Sequence, residues 1–319
     1  RIYQMSKFYS PLRYPGGKNK LAPFIAKICI DNGLNGNYIE PYSGGASVAL
    51  TLLFEEFVDE VIINDKDRSI YAFWHSVLYN TLELCDKIYN CNITIDEWRR
   101  QKEIQLKKSH ANLFDLGFST FFLNRTNRSG IINGGPIGGF AQSGEYCMDC
   151  RFNKEDLINR IMTIASKKKQ IRLYTKDAIR LVDYETIAED MGRSKDSVRN
   201  SARNKSLLYF DPPYYLKGPS LYMNHYTHKD HQYVRDAIVN IQFGSWIVSY
   251  DPTDEIKNLY SDYRRLEYNL THTAHSAKNG KEILFFSDNI LNINLNSDPS
   301  RYKIHDNLSL LNKIIYDGD

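Results

Sequence analysis

Long apolar runs are absent from the 319-residue chain, and no stretch near its start has the hydrophobic centre of a secretory leader. A membrane-spanning helix or exported precursor is therefore not expected, and the chain reads as intracellular. Cysteine is sparse: five residues in a chain of this size suggest free thiols, not a disulfide framework. Cys147 and Cys150 have the spacing of half a zinc site, but Cys29, Cys85 and Cys91 are scattered, so no metal is expected. Net charge is only +3, too small to argue for a nucleic-acid partner from the total. The glycine pattern of dinucleotide-binding folds is missing too. What remains is ordinary globular composition, with 42% hydrophobic and 25% charged residues, enough for one large α/β domain with an insertion. Met5 is the expected native start, behind four added residues.

Charge is unevenly spread. Arg160, Lys167, Lys168, Lys169 and Arg172 lie in a stretch without an acid, and Arg99, Arg100, Lys102, Lys107 and Lys108 form a second group. Such runs are commonly solvated helix faces and gain meaning only where something else calls for phosphate. His225, His228 and His231 are spaced by three, but Thr227-His228-Lys229-Asp230 is a capping box that explains the segment without a metal.

The stretch Leu207-Leu208-Tyr209-Phe210-Asp211-Pro212-Pro213-Tyr214 organises the rest. An apolar run that stops at Asp-Pro-Pro reads as a buried strand, because neither proline can donate to a sheet ladder. The chain leaves the sheet at Asp211, at the carboxyl end of a strand, where open α/β sheets place ligands. A carboxylate, the Pro212 carbonyl and the Tyr214 ring together suit a planar base: two acceptors for an exocyclic amine and a face for stacking. A plain strand-ending turn capped by aspartate has the same local sequence.

Earlier in the chain, Arg13-Tyr14-Pro15-Gly16-Gly17-Lys18 is a tight turn ahead of a helical pattern through Leu21, Phe24, Ile25 and Ile28. Tyr38-Ile39-Glu40 reads as a strand that runs into Pro41-Tyr42-Ser43-Gly44-Gly45-Ala46-Ser47 and a helix over 48–54. A second strand, 61–65, ends at Asp65, about twenty residues beyond the glycines, where nucleoside-binding folds place the acid that grips ribose hydroxyls. From 71 to 166 the βα rhythm stops, helices are expected over 71–89, 95–106 and 113–123, and a glycine-rich loop starts at Asn124. This is read as an insertion whose Asn and Arg side chains suit base edges or phosphates. The α/β rhythm resumes with a strand over 170–175. Residues 183–206 suggest helix, glycine turn, helix with Arg193, Lys195, Arg199, Arg203 and Lys205, either a small helix-turn-helix or a solvated excursion. Beyond Tyr214 come a helix over 230–241, a strand over 246–250, a helix over 255–260, a strand pair over 263–270 and 282–287, and a polar end.

Arg-Tyr-Pro-Gly-Gly-Lys, Glu-Pro-Tyr-Ser-Gly-Gly-Ala, Asn-Asp and Asp-Pro-Pro-Tyr, in that order with an insertion before the last, resemble the Dam-like adenine-specific DNA methyltransferases from about Leu12 to Ser287. The resemblance implies a Rossmann-like α/β sheet over 5–70 and 167–319, with a mainly helical target-recognition domain over 71–166. It implies S-adenosylmethionine held by Tyr14, Gly17, Lys18, Asp65, Asp177 and Asp211, with Glu40, Tyr42 and Gly44 shaping the pocket. It implies N6 transfer to a flipped adenine held by Asp211, Pro212 and Tyr214, with Asn124, Arg125, Asn127, Arg128 and Ser129 on double-stranded DNA. The setting it implies is the cytoplasm of a bacterial or phage-infected cell, with a cognate restriction endonuclease as a possible partner. The 183–206 excursion is longer than the family usually carries. N4-cytosine transfer, a catalytically silent DNA-binding relative and a nucleotide-dependent oxidoreductase stay open at this point, although the last would leave Asp-Pro-Pro-Tyr without a task.

Overall fold

The computed structural model describes residues 8–13, 18–181, 205–216, 226–241, 243–271 and 279–304. Tyr14, Gly17, His225, the proposed start at Met5, nearly all of the 183–206 excursion and the polar end from 305 lie outside the described residues.

Seven strands form one sheet: β1 (Asn37–Glu40), β2 (Glu60–Asn64), β3 (Ile171–Tyr174), β4 (Leu207–Phe210), β5 (Ser245–Tyr250), β6 (Arg264–Thr271) and β7 (Asn279–Phe286). Their order across the sheet is β3-β2-β1-β4-β5-β7-β6. The first five run parallel, and β7 is antiparallel to both β5 and β6. Alternate side chains feed two separate cores, as a parallel sheet covered on both faces requires. Tyr38, Val61, Ile63, Leu207, Tyr209, Ile247, Leu284 and Phe286 enter one. Ile39, Ile62, Leu208, Phe210, Trp246, Val248, Ile283 and Phe285 enter the other. This is the Rossmann-like α/β fold expected from the sequence.

The helices are α1 (Ala22–Asn32), α2 (Ser47–Phe54), α3 (Arg68–Tyr79), α4 (Thr81–Asn90), α5 (Ile95–Leu106), α6 (Leu113–Thr126), α7 (Lys154–Ser166), α8 (Ala178–Leu181), α9 (His228–Val239) and α10 (Asp254–Leu259). The expected single helix over 71–89 is two, broken at Asn80, whose φ of −125° is not helical. The helix expected to stop at 123 runs a turn further, so Asn124 and Arg125 sit on α6 and not in the loop. Neither α7 nor α8 was expected. The inserted helices share the larger core with the sheet: Phe73, Trp74, Leu84, Phe118 and Phe121 belong to the same cluster as Val61 and Leu207.

Reversal of strand order falls between β1 and β4, which lie side by side with β2 and β5 outside them. Loops leaving the carboxyl ends of β1 and β4 diverge there and open a crevice. Glu40, the last residue of β1, and Asp211, the first beyond β4, are therefore brought together by topology.

Candidate active site

Asp211 is held from two directions. Its Oδ1 accepts from Ser249 Oγ of β5 at 2.7 Å and pairs with Lys18 Nζ at 3.2 Å, while Ser249 Oγ accepts from the Tyr209 hydroxyl at 3.1 Å. Among the described residues no donor reaches Oδ2. Burial raises the Asp211 pKa and Glu282 adds to the rise, against Lys18, which lowers it. A quarter of the side chain, 24%, still faces open space. Asp251, at the end of β5, accepts the amides of Tyr215 at 2.8 Å and Leu216 at 2.9 Å, which fixes the turn after the two prolines.

Lys18 and Glu282 lie beneath this turn, 7% and 3% exposed. The Lys18 ammonium donates to Glu282 Oε1 at 3.0 Å and to the Tyr214 hydroxyl at 2.5 Å besides its pair with Asp211. All three N–H groups are thus taken within the protein, and none is left for a donor contact of the kind the resemblance implied. Burial works against the charge of Lys18, but Asp211 and Glu282 outweigh it and hold the pKa above the ordinary lysine value. Tyr214 donates in turn to Glu282 Oε1, and Tyr268 donates to Oε2 at 2.5 Å. Nζ lies 4.9 Å from the Tyr214 ring centroid but only 2.5 Å from the hydroxyl, so it sits towards the oxygen end of the ring.

The turn after β1 is braced by backbone contacts. Gly44 and Ala46 adopt φ of 45° and 47°, and Ala46 does so without the freedom of glycine. The Trp74 indole donates to the Gly44 carbonyl at 2.9 Å, Ser10 Oγ to that of Gly45 at 2.6 Å, and the Gly44 amide to Asp65 Oδ2 at 3.0 Å. Asp65 Oδ1 accepts the Asp67 amide at 2.9 Å, and burial pushes its carboxyl up to about 6. Asn64 stitches three loops together: Nδ2 donates to the carbonyls of Pro41 (2.8 Å) and Lys176 (3.0 Å), and Oδ1 accepts the Lys176 amide (2.8 Å). Asp177, the third residue beyond β3, pairs with Lys66 at 2.9 Å; burial opposes its charge, but the Lys66 bond and the Ile179 amide lower its pKa. Tyr42 meets the Tyr226 hydroxyl at 3.2 Å. Glu40 accepts the Ala49 amide at 3.2 Å, and burial pushes its carboxyl up to about 8.

A cavity of about 430 Å³ runs over Glu40, Tyr42, Ser43 and Gly45–Ser47 to Lys18 and Asp211, while Asp65, Asp177 and Tyr214 stand outside its lining. Its rim carries Arg13, Arg125, Arg151 and Arg160. Asp156 pairs with Arg160 at 2.8 Å. Burial and then the charges of Arg13 and Arg160 push Arg125 down to about 10, and burial with Arg151 lowers Arg13. Arg13 Nη1, Arg160 Nε and the Ser43 hydroxyl are buried with no hydrogen-bond partner among the described residues.

Two expected DNA contacts have other tasks. Asn124 is 1% exposed and clasps the Arg13 backbone, accepting its amide and donating to its carbonyl, both at 2.7 Å, with a further bond to Gly130 O at 2.9 Å. Asn127 accepts the Trp98 indole N–H at 2.7 Å and donates to Ile131 O and Ile132 O at 2.8 and 2.9 Å. Both amides brace the loop instead of reaching outward, because burial requires their polar atoms to be paired inside. Gly130 is required here: its φ is +75°, and a Cβ would lie 2.3 Å from the Arg13 carbonyl. Arg128 and Ser129 are exposed, and Arg125 is partly so. The sequence reading missed Ser249, Asp251, Tyr268 and Glu282. The visible signal for the last was a charged residue directly ahead of the apolar run Ile283–Phe286, on the strand face of Leu284 and Phe286.

The strand order, the glycine turn after β1 and the acid-Pro-Pro-Tyr turn after β4 define a Rossmann-like methyltransferase. Residues 14–274 match the D12 class N6 adenine-specific DNA methyltransferases, and the chain belongs to that family. Among curated proteins it is similar to the Type II methyltransferase M.MjaIII of Methanocaldococcus jannaschii, with 24% identity over 217 residues that cover 64% of this chain and 68% of that protein. The chain is an adenine-specific DNA methyltransferase, which takes a methyl donor and acts on DNA. No helix among the described residues is long and apolar enough to cross a membrane.

Proposed function

We propose that the donor is S-adenosylmethionine, bound in the cavity between Glu40 and Asp211, and that the acceptor is an adenine turned out of double-stranded DNA onto Asp211. The observation that carries this reading is the single cavity joining the glycine turn to the Asp211 carboxylate. Its volume falls among those of small-molecule sites, roughly 300–1,000 Å³. The residues fit the donor: the Ser43 hydroxyl, without a partner among the described residues, awaits a polar group, Gly45–Ser47 line the cavity, and Asp65, held behind that turn by the Gly44 amide, keeps lone pairs for ribose hydroxyls. Tyr42 closes the nucleoside end with Asp177 beyond it, and Glu40 shapes the middle, with Gly44 bracing the turn behind. When bound, the sulfonium supplies a methyl group that is already activated.

The residues of the chain then position and desolvate. Asp211 Oδ2 and the Pro212 carbonyl accept the two N–H bonds of the exocyclic amine, which draws its lone pair out of conjugation and towards the cavity. Tyr214 offers a ring face to the purine, and stacking with these hydrogen bonds offsets the few kcal/mol, roughly, of unstacking. Alignment alone supplies several kcal/mol, on the order of 7, to such a transfer. No strong general base is needed, because the amine sheds its proton after the methyl arrives. The sheet portions, 5–70 and 167–319, carry out transfer, and the insertion, 71–166, reads the site. Arg128 and Ser129 face base edges, while the rim arginines, Arg125 among them, meet phosphates. Likeness to a Type II methyltransferase supports a setting beside a cognate restriction endonuclease.

Calorimetric titration with S-adenosylmethionine tests the donor, and a duplex with 2-aminopurine at the target position tests extrusion. Saturable donor binding and a fluorescence rise on complex formation are expected. Complex formation without any rise in fluorescence would refute extrusion, and absence of donor binding would refute the cavity assignment.

A further inference from the structure

Glu282 stands where an apolar side chain belongs. It shares a strand face with Leu284 and Phe286, both in the larger core, and lies opposite Tyr268 in the β6–β7 register. A buried carboxylate on such a row costs several kcal/mol, roughly, unless it is paired. Here it collects the Lys18 ammonium and two tyrosine hydroxyls, one of which is Tyr214. Lys18 therefore sits between two acids, 3.0 Å from Glu282 and 3.2 Å from Asp211, and touches only Oδ1 of the latter.

We propose that Glu282 is a positioning residue for methyl transfer: it draws the Lys18 ammonium aside and tethers the Tyr214 hydroxyl, so that Asp211 keeps Oδ2 open for the amine and the Tyr214 ring stands ready. This rests on the reading that Asp211 receives the exocyclic amine. Without the second acid, the ammonium would close on both Asp211 oxygens, since a lone buried cation takes the nearest carboxylate as fully as geometry allows. The Tyr214 hydroxyl would lose one of the two bonds that fix its ring, and the other, to Lys18, would move with the ammonium. Glu282 never touches the base, so its effect falls on turnover and not on donor affinity.

The test is Glu282→Gln, close to isosteric, with kcat, donor Kd and the pH profile of kcat measured together. We expect kcat to fall about 10–100-fold, as misplacement of a reacting group does, with donor Kd within about twofold (a factor of ten is roughly 1.4 kcal/mol). The acidic limb of the profile should also move to lower pH. Asp211 must be ionised to accept the amine; it faces Lys18, Glu282, Glu40 and the hydroxyls of Tyr209, Tyr214, Tyr250 and Tyr268, and Glu282 is among the charges that raise its pKa. Removing that charge lowers it. A purely structural loss would reduce kcat without moving the limb downward, and that result, or an unchanged kcat, would overturn the proposal. Should Glu282→Gln not fold, Tyr214→Phe keeps the ring and removes the tether; about a tenfold loss of kcat is expected, and normal turnover would overturn the proposal. Asp211→Asn separates the two layers: normal turnover there sinks the reading of Asp211 as well, whereas normal turnover in Glu282→Gln alone sinks only this inference.

Discussion

Glu40→Gln gives a stability change whose sign and pH range follow from burial. Glu40 is 5% exposed at the switch point, and burial pushes its carboxyl from the ordinary 4.5 up to about 8. The native state therefore holds the proton more tightly than the unfolded chain does. Below about pH 4.5 the group is protonated in both states and costs nothing. As pH rises from there to about 8, the unfolded chain ionises freely while the folded one must stay protonated, and stability declines by about 1.4 kcal/mol per pH unit. Above about 8 the loss levels off, at on the order of 5 kcal/mol. Glutamine keeps an oxygen for the Ala49 amide but has nothing to titrate, so its own defect is the same at every pH. The assay is thermal melting of the donor-free protein across pH 4.5–9 for both chains. At roughly 2 °C per kcal/mol, the variant should gain on the order of 10 °C relative to wild type between the two ends. Parallel curves would refute the claim that Glu40 is buried as a neutral acid.

Asp65→Ala should weaken donor binding far more than DNA binding, because the ribose end touches only the donor; equal losses in two titrations would remove Asp65 from the donor site. Arg125→Ala should reduce DNA affinity evenly across sequences and lessen the salt slope by about one, whereas Arg128→Ala should cost about 1–3 kcal/mol at one base pair only. The reverse pattern would exchange their roles. Asn127→Ala leaves the Trp98 N–H and two carbonyls buried and unpaired, so denaturant melts should show a loss of about 3 kcal/mol; a loss below about 1 kcal/mol would contradict the bracing role.

The two turns that build the site could be read from sequence because turn chemistry is local. Pro212 and Pro213 end β4 whatever surrounds them, and the glycines after Glu40 mark a strand-to-helix turn, so Asp211 and Asp65 were found with their strands. Burial is not local. Asn124 and Asn127 have the composition of a recognition loop, and only the packing of α6 against the Arg13 segment and Trp98 shows that their amides face inward. Ser249, Asp251, Tyr268 and Glu282 reach the site across the sheet from β5, β6 and β7, and no spacing in the chain announces contacts made over such separations. The break at Asn80 depends on one residue's backbone angles, which periodicity does not register.

The central claim is that Asp211 holds the amine of an extruded adenine for transfer from S-adenosylmethionine. Its most direct test is mass spectrometry of nucleosides from duplex DNA incubated with methyl-labelled donor and either wild type or Asp211→Ala. Wild type should yield labelled N6-methyladenine, and the variant should yield none while remaining folded and still binding DNA and donor. Near-normal N6-methyladenine from Asp211→Ala, or labelled N4-methylcytosine as the main wild-type product, would contradict the claim.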